Sequence, residues 1–451
     1  MLASRSVNKA GIAEMDRVGI NPPISKTSDE RRSQVIDHIN SFPRYESHYS
    51  RRHTQKQYLA ANLNVRLMYS LYKEQTTTPV AYDIYRQIFN DMNLSFKLPH
   101  NDTCNTCDTY CLKLKIATSN EDREVIQTEW NKHKDIADKH YLAKSQDKGE
   151  AKINKSTKMI SFDLQQVLAT PHIKTSIMFY KRQLSVYNLT IYEGAESIAH
   201  NFLWDETIAG RGANQIGSCL YKYFMALPEH ISHVVMYSDT CTGQNRNSHI
   251  AAMCFSVLQQ HPSLKVIDHK FMLSGHSHME CDTAHAMIEK KKKRTDMRIH
   301  HPRDWAQLIR SVGKKGTFLV TEMLQADFYD FKALYNQKLQ VKTRNSENEK
   351  FIWHDVQWLK LTKDQIGVMQ YKTSVDIDEP FKSISYLRRR QNNPDLVPQP
   401  QYTAFLPISE EKKKNLLSVL HLIDPVFHDY YKNLPTSSAQ KNGSDGSEED
   451  E

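Results

Sequence analysis

Glycine and proline are scarce in this chain, 14 and 16 among 451 residues, and cysteine is scarcer at seven. So little glycine, without a period, excludes a collagen-like chain, and so little cysteine excludes a disulfide scaffold. No run reaches the roughly 18 uninterrupted apolar residues that a membrane-spanning helix needs. The opening stretch, MLASRSVNKAGIAEMDRVGINPP, lacks the continuous apolar segment of a secretory signal, so the expected setting is inside the cell. In a reducing compartment an odd, sparse set of cysteines raises the question of metal or core rather than disulfide. What is present, 39% hydrophobic and 25% charged residues, describes a globular chain. Its length predicts two to four domains at roughly 100–200 residues each.

The formal charge of +8 is unevenly spread. Residues 290–316, KKKKRTDMRIHHPRDWAQLIRSVGKKG, hold ten Lys/Arg against two Asp, and the last eleven residues, KNGSDGSEEDE, hold five acids and one Lys. The remainder is close to neutral. A basic stripe of this density favours a polyanion partner, nucleic acid first, and with it a nuclear location; a solvated Lys-rich helix face gives the same letters. A second basic stretch, FPRYESHYSRRHTQKQ, interleaves Arg44, Arg51, Arg52, His53 and Lys56 with Tyr45 and Tyr49. It suits a phosphate-contacting loop or a capped helix start.

Residues 1–30 read as a disordered lead-in. Helical periodicity follows in RRSQVIDHINSF, in QYLAANLNVRLMYSLYKEQ, where Leu59, Leu63, Leu67 and Leu71 recur at fours, in TPVAYDIYRQIFNDMN, and from Asn120 to about Lys152. From Thr157 the texture changes. TKMISFDLQQVL, QLSVYNLTIYE and ESIAHNFLWDE read as three strands. NQIGSCLYKYFMALP, RNSHIAAMCFSVLQQHP and ECDTAHAMIEKKKKR read as helices separated by the strands SHVVMYSD and LKVIDHKFML. Beyond them PRDWAQLIRSV and LQADFYDFKALYNQKL read as helices. FIWHDVQWLKL, GVMQYKTSV and FKSISYLRRR read as a small β module, and KKKNLLSVLHLIDPVFHDYYKNL as a closing helix. The expected organisation is a helical region at 31–155, a core at 156–300, a helical and small-β region at 301–435, and a disordered acidic tail at 436–451.

The core reads β-β-β-α-β-α-β-α, the order of an RNase H-like fold within a mixed α/β chain. Such a fold brings carboxylates together from its first strand, the end of its fourth strand and the helix after its fifth. Hard cations such as Mg²⁺ or Mn²⁺ prefer those oxygen ligands, and two of them clamp the attacking and leaving oxygens of a phosphoryl transfer. Asp163 lies in the first strand and Asp239 ends the fourth. At roughly 100° per residue, Asp282, His285 and Glu289 share about 60° of one helical face while Glu280 lies opposite. Asp282 or Glu289 is therefore expected as the third acid, with His285 as a further ligand or proton shuttle. A lone Asp after a strand is more often a turn or cap residue, and it is the three positions together that carry the reading. The loop TGQNRN adds Gln244, Asn245 and Asn247 as groups able to hydrogen-bond a nucleotide backbone. GHSHMECDTAH adds His276 and His278 beside the proposed site, where they could meet phosphate or metal.

This order of elements and acids resembles the DDE integrases and transposases. More closely, ISFDLQQVLATP, FYKRQLSVYNLTIYE, WDETIAGRGANQIGSCL, SDTCTGQNRN and DHKFMLSGHSHMECDTAHAMIEKKKK resemble a largely uncharacterised family of transposon-associated proteins with an RNase H-like core, over residues of about 35 to 435. The resemblance implies that Asp163, Asp239, Asp282 and Glu289 are the acidic positions, and that Trp204, Glu206, Arg211, Gln244 and Asn245 line the site or support it. It implies metal-dependent cleavage or transfer of DNA strands. RNA is the alternative polymer, and self-association is left open. Lys290, Lys291, Lys292, Lys293 and Arg294, directly after the acids, would guide the polymer. An inactive, domesticated DNA binder of the same fold is the competing reading. A 3′→5′ exonuclease would want an acid where Gln165 stands.

HNDTCNTCDTYC places Cys104, Cys107 and Cys111 at spacings suited to a CxxC knuckle, which presents two thiolates to one Zn²⁺. A structural site needs two more ligands, from Cys111, His100, His133 or His140, with Cys104, Cys107 and His133 the expected set. Cys219 and Cys254 fall on apolar helix faces and are expected in the core.

Overall fold

The computed structural model describes residues 27–42, 45–46, 57–59, 63–96, 104–391 and 393–437. The chain divides into two units, one ending at residue 103 and the other starting at Cys104, rather than at a boundary near 155. Arg44, Arg51, Arg52, His53 and Lys56 of the basic stretch, together with Tyr49, His100, the first 26 residues and the acidic tail from 438, lie outside the described residues.

In the first unit, α1 (Asp29–Asn40), α2 (Val65–Gln75) and α3 (Tyr82–Asp91) accompany a three-stranded sheet of β1 (Tyr45–Glu46), β2 (Gln57–Leu59) and β3 (Leu94–Phe96). The helix expected from residue 57 starts only at Val65, where Asn64 caps it by accepting the Leu67 amide at 2.9 Å. Leucines at fours do not mark its inner face, because α2 buries Met68 and Tyr72 while Leu67 stays exposed. Leu59 belongs instead to β2, beside β3.

The second unit opens with α4 (Asn105–Ile116) and the 34-residue α5 (Asn120–Ile153). A mixed sheet follows, built from β4 (Thr157–Leu164), β5 (Leu168–Thr170), β6 (Leu184–Glu193), β7 (Ile198–Asp205), β8 (His233–Ser238) and β9 (Val266–Phe271). Helices α6 (Ala213–Met225) and α7 (Ser248–Gln260) lie between strands in sequence, and α8 (Glu280–Arg294) and α9 (Pro302–Arg310) come after them. β10 (Phe318–Glu322), α10 (Phe331–Lys338), β11 (Trp358–Thr362), β12 (Val368–Lys372) and β13 (Lys382–Ser385) complete it. The path is β10-β7-β6-β4-β8-β9-β11-β12-β13, with β5 paired to β6 as the tenth strand. β4, β6 and β7 are antiparallel neighbours, and β4, β8 and β9 run parallel.

Three sequence expectations change here. β11, β12 and β13 do not form a module of their own. β11 pairs antiparallel with β9, and Leu359, Leu361, Met369 and Ile384 enter the same core as Ile267 and Phe271. β10, unread in the sequence, adds a parallel edge strand beside β7. The closing segment is two helices, α11 (Glu410–Ser418) and α12 (His428–Lys432), separated by short 3-10 turns at Leu420–Leu422 and Pro425–Phe427.

Alternation along the strands sorts the two faces. Ile160, Phe162, Val234 and Met236 pack with α6 and α7, whereas Met159, Val235 and Tyr237 join Met279, Cys281 and Ala151 of α8 and α5. Cys219 and Cys254 are buried on the α6–α7 side. Asp163 and Asp239 share the odd parity of the α8 face. Among the described residues no helix is long and apolar enough to cross a membrane.

Candidate metal centres

Asp163 is the penultimate residue of β4 and Asp239 the first after β8, so adjacent parallel strands deliver both at their carboxyl ends. α8 crosses this end. Ligand atoms of Asp163, Asp282 and His285 all lie within 4.8 Å of one another, a group able to hold a metal ion. Burial, then the Asp239 and Asp282 carboxylates, push the Asp163 carboxyl up to about 7. Burial likewise raises Asp282, against a hydrogen bond from the Met279 amide to its Oδ2 at 2.7 Å. Asp239 stands at the edge of this group. Its Oδ1 accepts the Asn245 side-chain amide at 2.5 Å and the Cys241 amide at 3.0 Å. Among the described residues two buried polar atoms here have no partner, Nε2 of His285 and Oδ1 of Asn245. Burial holds the His285 imidazole neutral, down to about 4, the form in which it ligates. Converging carboxylates and an orphaned imidazole nitrogen fit a bound cation, whose charge would relieve the repulsion that lifts Asp163.

Glu289 is placed apart from this group. Its Oε1 accepts the Gln165 side-chain amide at 3.3 Å, and Lys292 pairs with it at 3.1 Å. Gln165 in turn accepts from Asn188 at 2.9 Å, and Asn188 and Thr190 both donate to Asn201 Oδ1. This buried polar row runs across the α8 face of the sheet. Its sequence signal is polar residues at inward positions of otherwise apolar strands, which a search for acids and metal ligands passes over. Glu280 faces away, as its helical angle requires, and pairs with Lys144 at 3.1 Å and Lys148 at 3.0 Å on α5. Burial would raise its carboxyl, but the two ammonium groups prevail and hold it at about 2.

The remaining expected residues scatter. Exposed His278 favours the charged form of Asp282. Arg211 is exposed at the start of α6, with Tyr187 as an electrostatic neighbour. Trp204 is buried and donates to the Gly210 carbonyl at 2.8 Å, and Glu206 pairs with Lys412 at 2.7 Å, so both support the fold. Gln244 contributes its backbone amide to the turn at Cys241, and Asn247 caps α7. In the basic run Lys290, Lys293 and Arg294 are exposed and Lys291 is half-buried. Lys292 is engaged by Glu289 and lies 5.6 Å from the Trp305 ring centroid. Lys292 also lines a cavity of about 400 Å³ with His172, Lys174, Arg298 and His300.

The second centre corrects the placement of His276, expected beside the acids. Cys104, Cys107, His133 and His276 bring four ligand atoms within 4.8 Å of one another. Cys104 is the N-cap of α4, Cys107 lies on its first turn, and His133 comes from α5. Cys104 Sγ is 3.3 Å from His133 Nε2, Cys107 Sγ is 3.6 Å from His276 Nε2, and the two imidazole nitrogens are 3.1 Å apart. Ligands about 2.3 and 2.05 Å from one tetrahedral centre would stand about 3.6 Å apart for sulfur and nitrogen and about 3.3 Å for two nitrogens. The Trp130 indole N–H donates to Cys107 Sγ at 3.2 Å. Burial pushes the Cys107 thiol up to about 11, so a thiolate there needs a cation. Of the other candidates, His140 is buried with burial lowering it to about 4 against a hydrogen bond with the Phe271 backbone, and Cys111 is outside the group.

No protein-family model, curated protein or solved structure matches this chain.

Proposed function

We propose that this protein is a transposon-derived enzyme with an RNase H-like core that cleaves or transfers nucleic-acid strands, DNA first, with Mg²⁺ or Mn²⁺ at Asp163, Asp239 and Asp282. The observation that carries the reading is the convergence of these carboxylates at the carboxyl ends of two adjacent parallel strands, in a sheet whose β7-β6-β4-β8-β9 order joins three antiparallel strands to two parallel ones. The bound cation would neutralise phosphate charge and lower the pKa of a coordinated water. The chain's own part is positioning. Met279 and Asn245 fix one oxygen each of Asp282 and Asp239, and neutral His285 offers a further ligand or a proton acceptor. The twelve helical steps of α8 from Asp282 to Arg294 cover about 18 Å, roughly five base-pair steps. A strand reacting at the acids would thus lie along Lys290, Lys291, Lys293 and Arg294. The four Cys and His ligands are read as the zinc centre.

The test incubates supercoiled and oligonucleotide substrates, DNA and RNA, with wild type and an Asp239→Asn variant in Mg²⁺ or Mn²⁺. Metal-dependent nicking lost in the variant is the expected result. Salt-sensitive binding without cleavage on any substrate would instead identify an inactive nucleic-acid binder, and neither binding nor cleavage would end both readings.

A further inference from the structure

The loop from β9 to α8 passes the Cys/His group on its way between two of the acids. The Met272 amide donates to the Ser238 carbonyl at 2.8 Å, directly before Asp239. The chain then turns through Gly275, whose φ is +75°, and reaches His276, six residues ahead of Asp282. A Cβ at Gly275 would meet Cα, Cβ and Sγ of Cys104 at 2.9 Å, so only glycine allows this turn against the α4 cysteines. Met279, the N-cap of α8, is buried, and its amide holds Asp282. α5, which carries His133, grips the same region a second time through Lys144 and Lys148 on Glu280.

We infer that Cys104, Cys107, His133 and His276 form a closed structural Zn²⁺ site that clamps the α4–α5 hairpin to the β9–α8 turn, and that metal loading thereby positions Asp282 and His285. Two sulfurs and two nitrogens all within 4.8 Å of one another, with no carboxylate in the group, select zinc among the common divalent ions. Four protein ligands, three of them almost fully buried, leave no position for a substrate, so the role is structural. The site is therefore not a self-contained knuckle: its fourth ligand belongs to the loop that launches α8. Trp130, donating to Cys107, supplies the outer-shell hydrogen bond that ligated thiolates take, and Lys134 stands 3.5 Å from the centroid of its ring. His276 is a positioning residue for the acids. That second half of the inference rests on the proposed function, and the zinc site itself does not.

The full chain, expressed in zinc-supplemented medium, is assayed for metal content after gel filtration, and the Co²⁺-exchanged form is examined by visible absorption. One zinc per chain and the spectrum of tetrahedral, thiolate-bound cobalt are expected. His276→Ala should weaken zinc binding by more than the roughly 100-fold that an outer-shell loss can cost. His276→Cys should retain one zinc and strengthen the sulfur-to-cobalt charge-transfer band, which separates ligand loss from misfolding. Amide exchange of residues 276–285 is then measured with zinc bound and after chelation, in wild type and in Asp163→Asn. Protection lost on chelation in both is expected. Zinc near zero in wild type, or unchanged in His276→Ala, overturns the site and leaves the acidic reading standing. Zinc present with exchange of residues 279–285 indifferent to chelation overturns the positioning role. Absence of nicking with both zinc results as expected would defeat only the proposed enzyme.

Discussion

The acidic and the Cys/His groups flank one short stretch of chain, residues 276 to 282, and use burial in opposite ways. The acids are part-buried and crowded by like charge, so the metal-free fold bears an electrostatic penalty there. The cysteines and histidines are mostly sealed, and four soft or borderline ligands could satisfy one ion completely. An open, repulsive group is suited to binding a cation reversibly together with a substrate, and a closed one to holding a cation as part of the core. On the proposed readings, the contrast would separate a site for chemistry from a site for stability, although the two lie six residues apart.

The largest expected difference comes from removing one ligand on each side. Cys107→Ser should destabilise the chain by about 5 kcal/mol or more in urea unfolding, since binding energy at a closed zinc site is folding energy. Asp163→Asn should do the reverse in a metal-free buffer, stabilising by on the order of 3 kcal/mol at pH 7 or above, because it removes an ionised carboxylate from a repulsive setting. The sign follows from a folded pKa of about 7 against 3.8: the native state holds the proton longer, so wild-type stability falls as pH rises between those values. The gap between variant and wild type should close below about pH 4 and be full above about pH 7. A wild type as stable as Asp163→Asn at pH 8 in buffer free of added Mg²⁺ and Mn²⁺ would remove the contrast.

A smaller effect is expected at Glu280, which lies on the same helix but behaves like the closed side. Its folded pKa, about 2, is depressed, so its contribution is present above the ordinary 4.5 and lost as pH falls through 2. Glu280→Gln should cost about 1–2 kcal/mol at neutral pH and almost nothing near pH 2 in thermal or urea melts. Least visible in stability is Lys291→Glu with Lys293→Glu. Melting should move by no more than about 0.5 kcal/mol. The salt dependence of DNA binding should flatten by about one unit of slope for each phosphate that is no longer neutralised. An unchanged slope would leave the charge run as a solvated helix face.

What could be read in advance was local. Strand order placed Asp163 in the first strand and Asp239 at the end of the fourth, and helical angle separated Asp282 and His285 from Glu280, whose side chain is turned to Lys144 and Lys148; the same angle also grouped Glu289, which pairs with Gln165 and Lys292 instead. What depended on distant partners could not be read. His276 lies 143 residues from His133 and sits next to acids in sequence, so its neighbours there misdirected the assignment. β11 joins the main sheet through β9, and β10 through β7, pairings that no local pattern encodes. Leu67 shows the reverse failure, a periodic leucine left outside because Met68 and Tyr72 fill the core.

The separation between His133 and His276 also sets an order in time. At roughly 5–20 residues per second, a nascent chain presents both cysteines and the first histidine about 7–30 s before the last ligand is made. Until then the hairpin of α4 and α5 has three ligands and an open position. A zinc ion captured early would be exchangeable, and it would become locked only when β9 has been laid into the sheet and Gly275 has brought its neighbour home. Ribosome-bound chains ending before residue 276 should therefore surrender zinc to a chelator that chains ending after α8 resist, and equal loss from both would contradict this order.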